Sequence, residues 1–157
     1  MKEEDEKKNR LHDNPMIEMV LISDIMKECG DGKLPGYVQY VAMRPFITLM
    51  YTEFSINLLK EAKILNLDAT GSLVQRLHRW GISKDVLYYA LVMKVPGLDL
   101  PQLPVAEMLS SDQSAATISS FLANLKRDYY RVTGNTLHQV QVETDMSFAM
   151  IHGVLGT

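Results

Sequence analysis

The run Val86-Leu87-Tyr88-Tyr89-Ala90-Leu91-Val92-Met93 constrains the fold more than any other stretch of the chain. It carries no charge, is rich in β-branched and aromatic residues, and has the length of a single strand. A segment of this kind reads as a strand buried on two faces, which places it in the centre of a sheet with cover on both sides. With 157 residues, 46% of them hydrophobic and 22% charged, the chain has room for one domain built around such a sheet.

Its neighbours follow from punctuation and period. Leu103 to Leu109, with Pro104 at its entry, reads as the antiparallel partner beyond the Pro96-Gly97-Leu98-Asp99-Leu100-Pro101 loop. Ser110-Ser111-Asp112 is the expected cap of the longest helix, whose apolar stripe Ile118, Phe121, Leu122, Leu125 and Tyr129 runs to a stop at Gly134. Upstream, Ile64 to Asp68 is a short strand in which Asn66 and Asp68 share a face, followed by a turn at Ala69-Thr70-Gly71-Ser72 and a brief return over Leu73 to Leu77. Residues 78–85 are connecting loop. Gln139 to Thr144 alternates as a strand and runs into Asp145, after which Met146 to Leu155 begins a helix.

The first 62 residues form a lead-in. Residues 1–13 are a flexible charged start with neither a secretory signal nor a presequence. Residues 14–62 hold a helix over Asn14 to Cys29 with Asn14 as N-cap and Gly30 as stop, extended segments at Tyr37 to Met43 and Phe46 to Tyr51, and a helix over Thr52 to Lys63 capped by Thr52. Residues 63–157 make the core. Charged residues interrupt every apolar run before it reaches the roughly 20 residues of a membrane span, so a soluble protein of the nucleus or cytoplasm is expected, neither secreted nor in a membrane. A net charge of −3 argues against a strong free-standing nucleic-acid binder.

The order strand, strand, strand, helix, strand, helix predicts an α/β layered domain in which a helical crossover returns the last strand beside the first and parallel to it. That topology would bring Asp68 and Asp145 together. Alone, Asp68 reads as a turn former and Asp145 as a helix cap. Paired, they are like charges that a cation would relieve, a seat for Mg²⁺ or Mn²⁺ able to activate a water and stabilise a leaving oxygen in phosphodiester cleavage.

The runs Leu65-Asn66-Leu67-Asp68-Ala69-Thr70-Gly71, Leu87 to Val92, Leu103-Pro104-Val105-Ala106-Glu107-Met108-Leu109 and Glu143-Thr144-Asp145-Met146-Ser147-Phe148-Ala149-Met150-Ile151, with Phe121-Leu122 between them, carry a resemblance. Over about residues 40–157 the chain resembles the transposase domain of Mutator-like elements and related transposon-derived proteins. The resemblance implies an RNase H-like three-layer α/β fold, a mixed sheet flanked by helices and preceded by a small helical region. It also implies a DDE-type, metal-dependent nuclease and strand-transfer chemistry on DNA, with Asp68 and Asp145 as catalytic metal ligands. The family's later strand, its helix bearing the third acidic residue and its zinc module have no counterpart here. The chain is therefore expected to be an incomplete core, inactive alone, with an uncovered sheet edge open to self-association. The alternative is a non-catalytic interaction module on the same fold.

Other polar residues have plainer readings. Glu107 divides evenly between a site-facing and a surface role, and Asp112 reads as a cap. His78, His138 and His152 lack metal-ligand spacing, and Cys29, the only cysteine, reads as a buried or neutral thiol. Lys126, Arg127 and Arg131 with Tyr129 and Tyr130 form a small basic cluster, either a solvated helix face or a contact for a phosphate backbone.

Overall fold

In the computed structural model, residues 10–30, 32–71, 80–82, 85–94, 102–137, 141–145 and 147–156 are described. Helix α1 (Pro15–Cys29) starts where Asn14 accepts the Met16 N–H and Pro15 fills the first position, where a missing donor costs nothing. Strands β1 (Val38–Met43) and β2 (Phe46–Met50) form a hairpin across Arg44-Pro45, whose peptide bond is cis. Thr52 and Ser55 then cap α2 (Glu53–Leu58) reciprocally. The helix expected as far as Lys63 is only six residues long and tightens into a 3₁₀ turn at Leu59–Glu61.

The sheet follows as β3 (Ile64–Thr70), β4 (Leu87–Met93), β5 (Leu103–Ser110) and β6 (Gln141–Thr144), with the 19-residue helix α3 (Ala115–Thr133) before β6 and α4 (Phe148–Leu155) after it. The strands make one mixed six-stranded open sheet in the order β1-β2-β5-β4-β3-β6. Every neighbouring pair is antiparallel except β3 and β6, which run parallel because α3 carries the chain back across the sheet. The lead-in is thus part of the same sheet, since β2 pairs with β5.

The alternation of each strand sorts the two faces. Leu49, Ala106, Met108, Tyr89, Leu91, Met93, Leu65 and Leu67 point to one side, where Ile56, Leu59, the apolar stripe of α3 and Met150 of α4 close over them. A smaller cluster on the other side joins Met16 of α1 to Phe46, Ile82 and Val86, with Trp80 and Leu109 beside them. Helices therefore lie on both faces, but α1 covers the second face toward β1 and β2. This explains why β4, expected to be buried on both sides, is fully buried only at Tyr89, Leu91 and Met93 and half-buried between them.

Three boundaries differ from expectation. Ala69 and Thr70, read as a turn, continue β3 because Tyr89 and Tyr88 of β4 pair with them. The cap of α3 is Ser114, which accepts the Thr117 N–H, and not the 110–112 segment. Helix α4 begins at Phe148 behind Ser147. Gly134 ends α3 in the left-handed conformation, φ 73°, as its position required. The return segment expected over Leu73 to Leu77, the 95–101 loop, His78, His138 and Val140 lie outside the described residues. No helix among the described residues is long and apolar enough to cross a membrane.

Candidate metal site at the β3 and β6 strand ends

The parallel register pairs Ile64 with Gln141, Leu65 with Val142, Asn66 with Glu143 and Leu67 with Thr144. One step beyond the last pair stand Asp68 on β3 and Asp145 after β6. Adjacent strands lie about 4.8 Å apart, so the backbone carries the two residues near one another at the C-terminal ends of β3 and β6. Both residues are exposed. Asp68 is not the end of its strand. β3 runs on to Thr70 against β4, while β6 stops, so Asp68 sits where the two parallel strands part company.

Each carboxylate is half-engaged locally. Asp68 Oδ1 accepts the Ala69 N–H at 2.8 Å, and Asp145 Oδ1 accepts the Ser147 N–H at 2.9 Å, a turn that leads the chain into α4. Among the described residues, no other hydrogen-bond donor to the two carboxylates is seen. These are hard oxygen donors with fixed orientation, the chemistry that Mg²⁺ or Mn²⁺ takes while keeping most of its water. Among the described residues, no group of three or more His, Cys, Asp or Glu is placed to hold a metal ion.

Several neighbours were not foreseen. Tyr89 is buried beneath this edge, and its phenol is pushed up by burial first and then by the negative charges of Asp112 and Asp145. Asp112 is a partner of the α3 cap rather than the cap itself. Its oxygens accept from the Ser114 N–H at 3.3 Å, the Ser114 hydroxyl at 2.9 Å and the Thr117 hydroxyl at 2.6 Å. On the second face, the register row Asp68, Ala90, Glu107 and Met50 crosses the sheet. Glu107 in that row is half-buried and accepts from the hydroxyls of Tyr37 and Tyr88. Burial, the hydrogen bond to Glu107 and its charge, in that order, push Tyr88 up to about 12 and raise Tyr37 as well. Period-two alternation of Tyr88 and Tyr89 was the available signal for both sites. The partners across the sheet required the register.

Of the remaining candidates, His152 is exposed and stacks on Phe148 at 6.5 Å between ring centroids, and Cys29, expected to be buried or neutral, is exposed at the end of α1. Tyr129, grouped with the basic cluster in the sequence, is buried in the core, whereas Tyr130 is exposed. Comparison with protein-family models, curated proteins and solved structures finds no match to this chain.

Proposed function

We propose that the chain is an RNase H-like, transposon-derived nuclease core in which Asp68 and Asp145 are the ligands of a divalent cation used on DNA phosphodiesters. The observation that supports this reading is the parallel pairing of β6 with β3, with Asp68 one residue past the last paired position on β3 and Asp145 directly after the end of β6. The strand order β5-β4-β3-β6, an antiparallel meander joined by a parallel strand after a helical crossover, is what the resemblance to Mutator-like transposases implies for the first half of their catalytic core.

In this reading the backbone does the orienting. The Ala69 and Ser147 N–H groups each fix one carboxylate oxygen, which turns the other outward without a side-chain rotamer search. A bound Mg²⁺ or Mn²⁺ would supply a polarised water and charge stabilisation at the leaving oxygen. Like charges on adjacent strands repel, so the pair is disfavoured until a cation neutralises it.

The test is a thermal melt with Mg²⁺ or Mn²⁺. A site with a dissociation constant near 1 mM gains about 1.4 kcal/mol at roughly 10 mM metal, and about 3–6 °C in Tm for a domain of this size. Asp68→Asn and Asp145→Asn should each abolish the gain while leaving the metal-free Tm unchanged or slightly higher, because removing one charge relieves the repulsion. An equal metal response in wild type and both variants rejects the site and leaves the fold as a non-catalytic interaction platform.

A further inference from the structure

Glu107 plays no part in the aspartate pair, and its own surroundings are uncommon for a carboxylate. Half-buried in the middle of β5, it accepts from the hydroxyls of Tyr37 and Tyr88, and no lysine, arginine or histidine among the described residues pairs with it. Two hydroxyls satisfy its oxygens as acceptors but leave its negative charge uncompensated. The same side chain stands in the wall of a cleft of about 220 Å³ between the start of β5, the end of β2 and α2. Tyr37, Tyr51 and Phe54 line this cleft with Leu58 and Pro104, and no basic residue does. Phe54 is 72% exposed and Tyr37 37%, whereas Tyr51 is buried with its hydroxyl committed to Asp128.

A structural role accounts for part of this. By receiving Tyr37 and Tyr88 together, Glu107 fastens the entry of β1 to the sheet centre. That role asks only for an acceptor, which a neutral glutamine supplies without the cost of holding a charge in a half-buried place. It does not account for Phe54, an apolar ring left largely in water on the cleft wall.

A carboxylate beside aromatic faces, with no basic residue among them, is the chemistry that receives a cation with an apolar coat. A hard metal ion needs further oxygens, and the hydroxyls of Thr52 and Ser55 in the same wall are spent on capping α2. A plain ammonium brings three N–H donors to a carboxylate already occupied by two hydroxyls, whereas a methylated ammonium asks for charge and contact alone. Sites for drug-sized ligands run to roughly 300–1,000 Å³, so this smaller cleft fits a headgroup and not a whole large molecule.

We infer that the cleft binds a methylated ammonium group, with Glu107 as its counter-charge and Tyr37, Tyr51 and Phe54 as its aromatic walls. No lining residue comes from β3 or β6, so the inference stands or falls independently of the nuclease reading.

The experiment is titration calorimetry in sodium phosphate with EDTA, since amine buffers would compete. The probes are choline, the amide of acetylated trimethyllysine, and dimethylbutanol, in which carbon replaces the nitrogen of choline and the charge is gone. Both cations should bind, and the neutral isostere about tenfold more weakly or worse. Glu107→Gln should erase that preference. Phe54→Leu keeps an apolar wall but loses the π-face, and should weaken both cations by roughly 2- to 30-fold while leaving the isostere unchanged. Equal affinity for the two cations assigns a free small molecule as the source of the headgroup, and tighter binding of the lysine derivative assigns a protein side chain. Asp68→Asn should bind as wild type does. Melting curves verify that the variants fold; if Glu107→Gln does not, the isostere on wild type makes the same comparison of charge against shape. No heat of binding from either cation at roughly 10 mM, equal binding of the isostere to wild type, or an unchanged preference in folded Glu107→Gln would each overturn the inference.

Discussion

Removing one oxygen atom from Tyr51 should cost more stability than its size suggests. Tyr51 follows β2, is 2% exposed, and donates its hydroxyl to Asp128 Oδ2 of α3 at 2.7 Å, tying the sheet to the helix layer. Asp128 is itself only 4% exposed, and its other good contact is Arg127 Nε at 3.2 Å, on a guanidinium that is largely in water. Tyr51→Phe keeps the ring and its packing but strips a buried carboxylate of its strongest donor. Hydrogen bonds to charged groups are worth about 1.5–3 kcal/mol, and a domain of this size loses about 2–4 °C per kcal/mol, so Tm should fall by about 3–12 °C. Urea and thermal melts of Tyr51→Phe, Asp128→Ala and the double variant close a cycle. Because Asp128→Ala removes the charge that the phenol was satisfying, the double variant should lose less than the sum, with a coupling of about 1.5 kcal/mol or more. A loss below about 0.5 kcal/mol for Tyr51→Phe, or full additivity, would show that the carboxylate is not held by this phenol.

The close packing of α3 on α4 gives a second expectation: a Cβ at Gly153 would lie 2.6 Å from Ile118 Cγ2 and 2.7 Å from its Cβ. Gly153→Ala should therefore destabilise by about 1–3 kcal/mol in urea melts, and combining it with Ile118→Ala, which removes the Cγ2 contact, should lose less than the sum of the two single losses. In Glu107→Gln the acceptor of Tyr37 and Tyr88 loses its charge, so spectrophotometric titration should find the Tyr88 phenol moved from about 12 back toward its ordinary value near 10. Tyr37, Tyr51, Tyr88 and Tyr89 all have raised pKa values, so the folded state holds their protons more tightly than the unfolded chain does. Their contribution is complete below pH about 10 and is lost as pH rises through the folded values; alkaline urea melts should show stability falling from about pH 10 upward, less steeply in Tyr51→Phe.

Much of the sheet was legible because its signals are local. Asn14, Thr52 and Gly134 mark helix ends by side-chain or φ requirements that do not depend on the rest of the fold, and all three stand where those requirements placed them. The apolar runs of β4 and β5 likewise announced a hairpin of long strands. What failed was decided between elements. Ala69-Thr70-Gly71 has turn composition, yet the first two residues extend because β4 offers them a ladder partner, a tertiary gain larger than a local preference. Asp112 competed with Ser114 for the same cap, and the hydroxyl won because the carboxylate serves better as acceptor for Ser114 and Thr117 together. Tyr129 and Tyr130 look alike in sequence, and only the phase of α3 on the sheet separates a core ring from an exposed one.

The candidate site shows how a local reading and a global one combine. Either aspartate alone has a local role, though not the one its sequence suggested: Asp68 lies within β3 and not in a turn, accepting the Ala69 N–H, and Asp145 accepts the Ser147 N–H ahead of α4, whose cap position is Ser147 itself. Those bonds do not compete with ligation, since each occupies one oxygen and holds the other still. In the proposed site the two positions are set apart by the unequal length of their strands: β6 ends at Thr144 while β3 continues to Thr70, so Asp68 keeps its ladder to β4 but has no β6 partner. A carboxylate at such a fork is anchored by a strand that cannot move without breaking the sheet centre, while its partner rides on the start of α4. The α3 to α4 contact at Gly153 is then a lever on the site as well as on stability. If Gly153→Ala displaces α4 from Ile118, Asp145 should shift while Asp68 stays, and any metal-induced gain in Tm should fall in that variant by more than its loss of stability in EDTA predicts. A gain equal to that of wild type would mean that the start of α4 does not set the position of Asp145.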